Sequence, residues 1–251
     1  MDVLNRFAGL ASAAAMSIAL LPGAHAADVN IAVAANFTEA AKEIGSAWEK
    51  KSGHKAVFSF GATGQLFAQI SQGAPFEVFL SADQATVTKA GVEGHGLAAT
   101  QYTYAVGKLV LYSKNKDAVK GEQTLKNAKF DKVAIAAPGA APYGAAAVET
   151  MKGLGVYETL RPKIVEGQNI TQTYQFVDTG NAEVGFVALS QVGAKKDGSR
   201  WVVDSKYYSP IKQDAILTKK GESSAAAKDF LGFLKGPEAK AVKEKYGYAA
   251  E

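Results

Sequence analysis

The sequence predicts an α/β fold with mostly parallel, doubly wound sheets arranged in two lobes. Short apolar runs rich in Val, Ile and Ala are each followed by a polar turn, then by a stretch with apolar residues three and four apart. That is the mark of repeated strand–turn–helix units. One run, Tyr102–Ser113 (YTYAVGKLVLYS), is too long and unbroken for that rhythm and reads as a strand leaving one sheet to enter another. With 251 residues, 47% of them hydrophobic and 21% charged, the chain can fill one large core or two small ones.

Taken in order, Val29–Ala35 (VNIAVAA) is a buried strand ended by Asn36-Phe37-Thr38. Ala40, Ala41, Ile44, Ala47 and Trp48 then recur at helical spacing, giving a helix capped by Asn36 or Thr38 and stopped at Ser52-Gly53. The unit repeats with Ala56–Phe60 as strand, Gly61-Ala62-Thr63-Gly64 as turn and Gln65–Gln72 as helix, and Val78–Ser81 is the next strand. Trp48, Phe67 and Phe79 fall on core faces. After the crossover come strands at Val133–Ala137 and Val184–Ala188, with helices at Gly144–Leu154 and Ile170–Thr179 between them. Trp201–Ala215, containing Ser209-Pro210, reads as the returning strand. Helices at Ser224–Leu234 and from Gly236-Pro237 to Tyr246-Gly247 close the chain.

Residues 1–26 have the form of a secretory signal peptide: a head carrying Arg6, an apolar stretch from Phe7 to Leu21, and a small-x-small end at Ala24-His25-Ala26. The apolar stretch is shorter than the roughly 20 residues that span a bilayer, and Pro22-Gly23 follows it, which argues against an anchor. The expected organisation is therefore a leader over 1–26, a first lobe from 27–104 and 211–251, and a second lobe from 105–210. An exported chain without cysteine or lipid anchor suits a Gram-negative periplasm.

Composition removes several chemistries. Without Cys there is no disulfide scaffold, thiolate metal site or cysteine nucleophile. With His25 in the leader, His54 and His95 remain, far apart beside glycines, so no histidine metal cluster is expected. The 28 Lys+Arg against 24 Asp+Glu give a net charge of +4, scattered as single and paired lysines without a stripe suited to nucleic acid.

Four strand-to-helix turns carry the polar residues that stand out: Asn36, Thr63 between Gly61 and Gly64, Tyr143-Gly144 after Pro138-Gly139, and Asn169-Ile170. In open α/β sheets, ligands sit beyond the carboxyl ends of the strands, where helix N-termini offer unpaired N–H groups and positive dipole ends, so anions suit these turns. Plain helix capping is the competing use of the same residues. Gly61-Ala62-Thr63-Gly64-Gln65 lacks the lysine of a P-loop and the third glycine of a dinucleotide fingerprint. Ser81-Ala82-Asp83 has no histidine partner in view, and Asp83 reads as a helix cap.

VAANFTEAAKEI (33–44), FSFGATGQLFAQISQGAPFEVFLSADQ (58–84), YAVGKLVLYS (104–113), APGAAPYGAAA (137–147) and LKGPEAKAVKEKYGY (234–248) resemble the periplasmic molybdate-binding proteins of ATP-binding-cassette importers. The likeness covers nearly all of the chain beyond the leader. It implies a class II type two-lobed periplasmic binding protein fold with two crossover strands and a cleft closing on a tetrahedral oxyanion, molybdate or tungstate. It further implies no catalysis and a membrane permease as partner; no cofactor is expected, and a monomer is the default. By the resemblance, the first lobe donates from the Ala35-Asn36 turn and from Thr63 with its neighbour Ala62. The second lobe donates from the backbone near Tyr143, the Tyr143 hydroxyl and the N–H of Ile170. Many members place Ser where Asn36 stands, and some place Tyr where Ala188 stands, so Ala188 is left out of the site. The rival expectations are a binding protein for sulfate or another oxyanion, and a periplasmic enzyme using Asp83 or Glu77 in the cleft.

Overall fold

The computed structural model describes residues 26–249, so the leader lies outside the described residues except for Ala26. Ten strands form two five-stranded sheets. In chain order the first lobe contributes β1 (Asp28–Ala34), α1 (Thr38–Ser52), β2 (Lys55–Gly61), α2 (Thr63–Ser71), β3 (Val78–Leu80), α3 (Gln84–Val92) and β4 (Tyr102–Gly107). The second contributes β5 (Leu109–Ser113), α4 (Gln123–Asn127), β6 (Val133–Ala136), α5 (Pro142–Gly153), α6 (Tyr157–Leu160), β7 (Ile164–Gly167), α7 (Ile170–Asp178), β8 (Val184–Ala188), α8 (Leu189–Val192) and β9 (Ser199–Val202). The chain then returns through β10 (Ile211–Leu217), α9 (Ala225–Leu234) and α10 (Pro237–Lys245) to the first lobe.

The sheets have orders β2-β1-β3-β10-β4 and β7-β6-β8-β5-β9. In the first, β1 runs parallel to β2 and β3, whereas β10 is antiparallel to both β3 and β4. The second repeats this arrangement, with β6 parallel to β7 and β8, and β5 antiparallel to β8 and β9. Each sheet is thus mixed, with four strands pointing the same way and a single one, β10 or β5, running against them. β5 and β10, by which the chain enters each lobe from the other, come in from the opposite end and so run against the βαβ strands.

The crossover lies at Lys108, between β4 in the first sheet and β5 in the second. The expected boundary after residue 104 is therefore three residues early, because Ala105–Gly107 still pair with β10. The expected single strand Trp201–Ala215 divides into β9, an edge of the second sheet, and β10, inside the first. Ser209-Pro210 falls between them.

Side-chain alternation explains how both faces of each sheet are covered. On β1, Ile31 and Val33 face α1, α9 and α10 together with Phe37, Ile44, Trp48, Phe230 and Leu234, while Ala32 faces Leu66, Ile70 and Phe79 on the α2–α3 side. The second lobe follows suit: Leu109 and Leu111 pack with Val133, Ile135 and Phe186 toward α5, and Val110 and Tyr112 pack with Ala134, Val177 and Val187 toward α7. Trp48 and Phe79 are buried; Phe67 is partly buried beneath Lys89, whose Nζ lies 5.3 Å from the ring centre. The larger core continues across the cleft, joining Ala34, Ala35, Ala62 and Ala82 of the first lobe to Ala141, Tyr143 and Ile170 of the second. The cleft walls are packed against each other. Among the described residues no helix is long and apolar enough to cross a membrane.

Candidate functional site

The turns singled out in the sequence meet between the lobes. Ala34, Ala35, Asn36, Gly61, Ala62, Thr63 and Ala82 from one side, and Ala141, Pro142, Tyr143 and Ile170 from the other, line a small cavity of about 10 Å³. All six expected donors, Ala35, Asn36, Ala62, Thr63, Tyr143 and Ile170, line it, and each is at most 6% exposed. Ala188, at the end of β8, is not part of the wall. Neither is any charged residue.

Each donor is aimed by its element. A short 3₁₀ turn, Ala35–Phe37, precedes α1, and α2, α5 and α7 begin at Thr63, Pro142 and Ile170. The first N–H groups of a helix have no intrahelical acceptor, so these four starts bring backbone donors and positive dipole ends to one place. Asn169 caps α7, its Oδ1 accepting from the N–H groups of Thr171 and Gln172 at 3.0 Å each, so the leading N–H, that of Ile170, is the one beside the cavity. Pro142 stands at the first position of α5 without an N–H, which makes Tyr143 the first donor of that helix.

The side chains do not all act as caps. Thr63 Oγ1 accepts from the N–H of Ala82 at 3.0 Å and lies 3.5 Å from Ser81 Oγ, so the Thr63 hydroxyl proton is left for the cavity. Neither Asn36 nor Thr38 caps α1: Phe37 holds the cap position, and Thr38 Oγ1 donates to the Ala35 carbonyl. Asn36 instead spends its amide on a buried network, with Nδ2 donating to Gln213 Oε1 at 2.8 Å and to the Tyr248 hydroxyl at 3.1 Å. What this turn presents to the cavity is therefore backbone N–H.

The Tyr143 hydroxyl lies 3.3 Å from Gln213 Nε2, and burial pushes its pKa well above the ordinary tyrosine value. It stays protonated, and hence a donor, across the physiological range. Burial pushes Tyr104 and Tyr248 in the same direction. Room for the phenol comes from Gly107, where a side chain would overlap the Tyr143 hydroxyl and come within 2.6 Å of Gln213 Nε2.

Besides the Gln213–Tyr143 contact, Gly64 N–H donates across the cleft to the Ala140 carbonyl at 3.0 Å, and Ser190 Oγ to the Asn36 carbonyl at 2.8 Å. The carboxylates weighed as catalytic groups have structural partners. Glu77 Oε2 accepts from the N–H of Asn30, and Asp83 caps α3 through the N–H of Thr86 at 2.6 Å. Burial raises the Asp83 pKa, partly opposed by the hydrogen bonds from Thr86. Among the described residues no group of His, Asp and Glu could hold a metal ion.

Sequence reasoning did not find Gln213, Tyr248, Tyr104 and Ser190. The available signal was the polar run Lys212-Gln213-Asp214 in IKQDAIL, of which Gln213 and Asp214 are fully or almost fully buried.

Residues 29–249 match the model of the bacterial extracellular solute-binding protein family. The chain is 52% identical to the molybdate-binding protein of Rhodobacter capsulatus, covering 99% of this chain and 100% of the relative. It is 50% identical to that of Azotobacter vinelandii, covering 91% and 92%. A solved structure of the Azotobacter vinelandii periplasmic molybdate-binding protein superposes with a TM-score of 0.86 at 35% identity, over 89% of this chain and 99% of the other. The sulfate-binding protein SubI of Mycobacterium tuberculosis, at 11% identity and a TM-score of 0.75, shares the fold. Two mixed α/β lobes, four helix starts converging on a buried cavity and these full-length likenesses place the chain in the bacterial extracellular solute-binding family, beside its molybdate-binding members.

Proposed function

We propose that the protein captures molybdate, and tungstate with similar strength, in the periplasm after removal of its leader, and delivers it as a monomer to an ATP-binding-cassette permease without transforming it. The supporting observation is the cavity wall: N–H and O–H donors from both lobes, with no charged residue among them. A fully ionised tetrahedral dianion offers only acceptors. Each charge-assisted bond contributes about 1.5–3 kcal/mol, so several exceed the roughly 8 kcal/mol of micromolar binding after the cost of association is deducted. A protonated anion such as hydrogen phosphate would set an O–H against a donor and is disfavoured. The hydroxyls of Thr63 and Tyr143 and the N–H groups of Ala35, Asn36, Ala62 and Ile170 are the contacts in this reading.

Discrimination against sulfate then rests on size. The donors are backbone and short side-chain groups held by packed helices, which cannot follow a smaller ion inward, and each unmet buried donor costs about 1–3 kcal/mol. Calorimetric titration with molybdate, tungstate, sulfate and phosphate near neutral pH is the test. Tight binding of the first two and far weaker binding of the others is expected; equal affinity for sulfate and molybdate overturns the assignment.

A further inference from the structure

Gln213 lies on β10, the strand by which the chain returns to the first lobe, and it is fully buried although it does not line the cavity. The β4–β10 register shifts between Gln213 and Asp214, which pair with Ala105 and Thr103 and leave Tyr104 as the extra residue opposite. Such irregularities re-aim side chains near functional sites. Here the Tyr104 hydroxyl comes to lie 3.1 Å from both Gln213 Oε1 and the Ser81 carbonyl, which share its one proton.

The direction of the hydrogen bonds from Asn36 through Gln213 to Tyr143 follows from one end of the network. The Tyr248 hydroxyl donates its single proton to the Asn36 carbonyl at 2.7 Å, so its oxygen accepts from Asn36 Nδ2 at 3.1 Å. That fixes which end of the Asn36 amide is nitrogen, and its second proton goes to Gln213 Oε1 at 2.8 Å. Gln213 must then turn Nε2 toward the Tyr143 hydroxyl, 3.3 Å away. A hydroxyl has one proton to give.

We propose that Gln213 is a positioning residue for the ligand site: oriented by Asn36, its amide donates to the phenol oxygen of Tyr143 and leaves the phenol proton directed into the cavity. This rests on the oxyanion reading above. It also explains why a residue outside the wall is polar and wholly buried in the middle of the first sheet, where an apolar side chain would otherwise pack best. The network spans both lobes, with Asn36, Tyr104, Gln213 and Tyr248 on the first and Tyr143 on the second, so the phenol is aimed only when the lobes are together.

The test is a double-mutant cycle read by calorimetric titration of the purified protein with molybdate, using Tyr143→Phe, Gln213→Met and the combination. Tyr143→Phe should weaken binding about ten- to hundredfold, the range for one hydrogen bond to an anion. Gln213→Met should cost a similar factor, and the double variant should be no weaker than the worse single one, because both remove the same bond. Losses that multiply, or a Gln213→Met protein that binds as tightly as the wild type, overturn the proposal.

Gln213→Glu guards against a Met variant that does not fold. It keeps an acceptor for Asn36 and Tyr104 but offers Tyr143 an acceptor in place of a donor, drawing the phenol proton away from the cavity. Its affinity should fall at least as far as that of Tyr143→Phe, and adding Tyr143→Phe to it should change little. A further full loss on that addition overturns the proposal while leaving the oxyanion reading intact. A wild-type protein that binds neither molybdate, tungstate nor sulfate overturns both.

Discussion

Ser190 Oγ, in the first turn of α8 on the second lobe, donates to the backbone carbonyl of Asn36 on the first lobe at 2.8 Å. The same carbonyl receives the Tyr248 hydroxyl at 2.7 Å. One acceptor beside the cavity thus joins a donor that stays with it to a donor that arrives only when the lobes meet.

Ser190→Ala should therefore weaken molybdate binding by a few-fold, corresponding to the net 0.5–1.5 kcal/mol, roughly, of a neutral hydrogen bond, and should do so by loosening closure. Because Tyr248 still satisfies the Asn36 carbonyl, the ligand-free melting temperature should barely change. Stopped-flow kinetics checks this: the loss should appear mainly as faster ligand release.

Gly107→Ala should damage binding more than folding. A Cβ there overlaps the Tyr143 hydroxyl and approaches Gln213 Nε2 to 2.6 Å, so phenol and amide must shift. Overpacking of this kind costs about 1–3 kcal/mol in stability, whereas moving the phenol off its donor geometry should remove about tenfold or more in affinity. Paired thermal melts without ligand and titrations with molybdate separate the two effects.

Asn36→Ala should lower stability even without ligand, and the cause is not a lost helix cap. It strips Gln213 Oε1 of its 2.8 Å donor and the Tyr248 oxygen of its 3.1 Å donor inside a buried network. Unsatisfied buried groups of this type cost about 1–3 kcal/mol, to be read as a lower midpoint in denaturant. Affinity should fall as well, since Gln213 is then free to turn away from Tyr143.

Asp83→Asn should stabilise the protein near neutral pH. Burial raises the carboxyl pKa in the folded chain above its ordinary 3.8, with the charge of Asp214 adding to the effect and the Thr86 hydrogen bonds opposing it. A raised acid pKa means that the folded state holds the proton more readily than the unfolded chain. Stability is therefore lost as pH rises from 3.8 through the higher folded value. Asn caps a helix as well as Asp does and carries no charge. Melting curves of the two proteins should coincide near about pH 3 and separate in favour of Asp83→Asn as the pH approaches neutrality.

Much of this protein is written locally. Strand–turn–helix spacing around Val29–Ala35, Ala56–Phe60 and Val184–Ala188 marks the α/β units, because burial on both faces demands short apolar runs and helix packing demands periodicity near 3.6. The long run Tyr102–Ser113 marks the passage between sheets. Asn36, Thr63, Tyr143 and Ile170 stand out because they occupy turns that end strands and begin helices, and the fold brings all such turns to one end of each sheet.

What only the tertiary structure decides is which partner each polar group finds. Asn36 and Thr38 have the composition of caps, yet neither caps α1, because a 3₁₀ turn intervenes and Gln213 and Tyr248, 177 and 212 residues away in sequence, take the Asn36 amide instead. Strand direction was likewise not local: β5 and β10 run against their βαβ neighbours because the chain crosses between lobes at Lys108 and returns before Ile211. Gln213 looks like one of three adjacent polar residues in its strand until Tyr104, Asn36 and Tyr143 converge on it from three separate elements. Hydrogen-bond direction in a buried network is set by donors and acceptors far apart in the chain, so no window of sequence contains it.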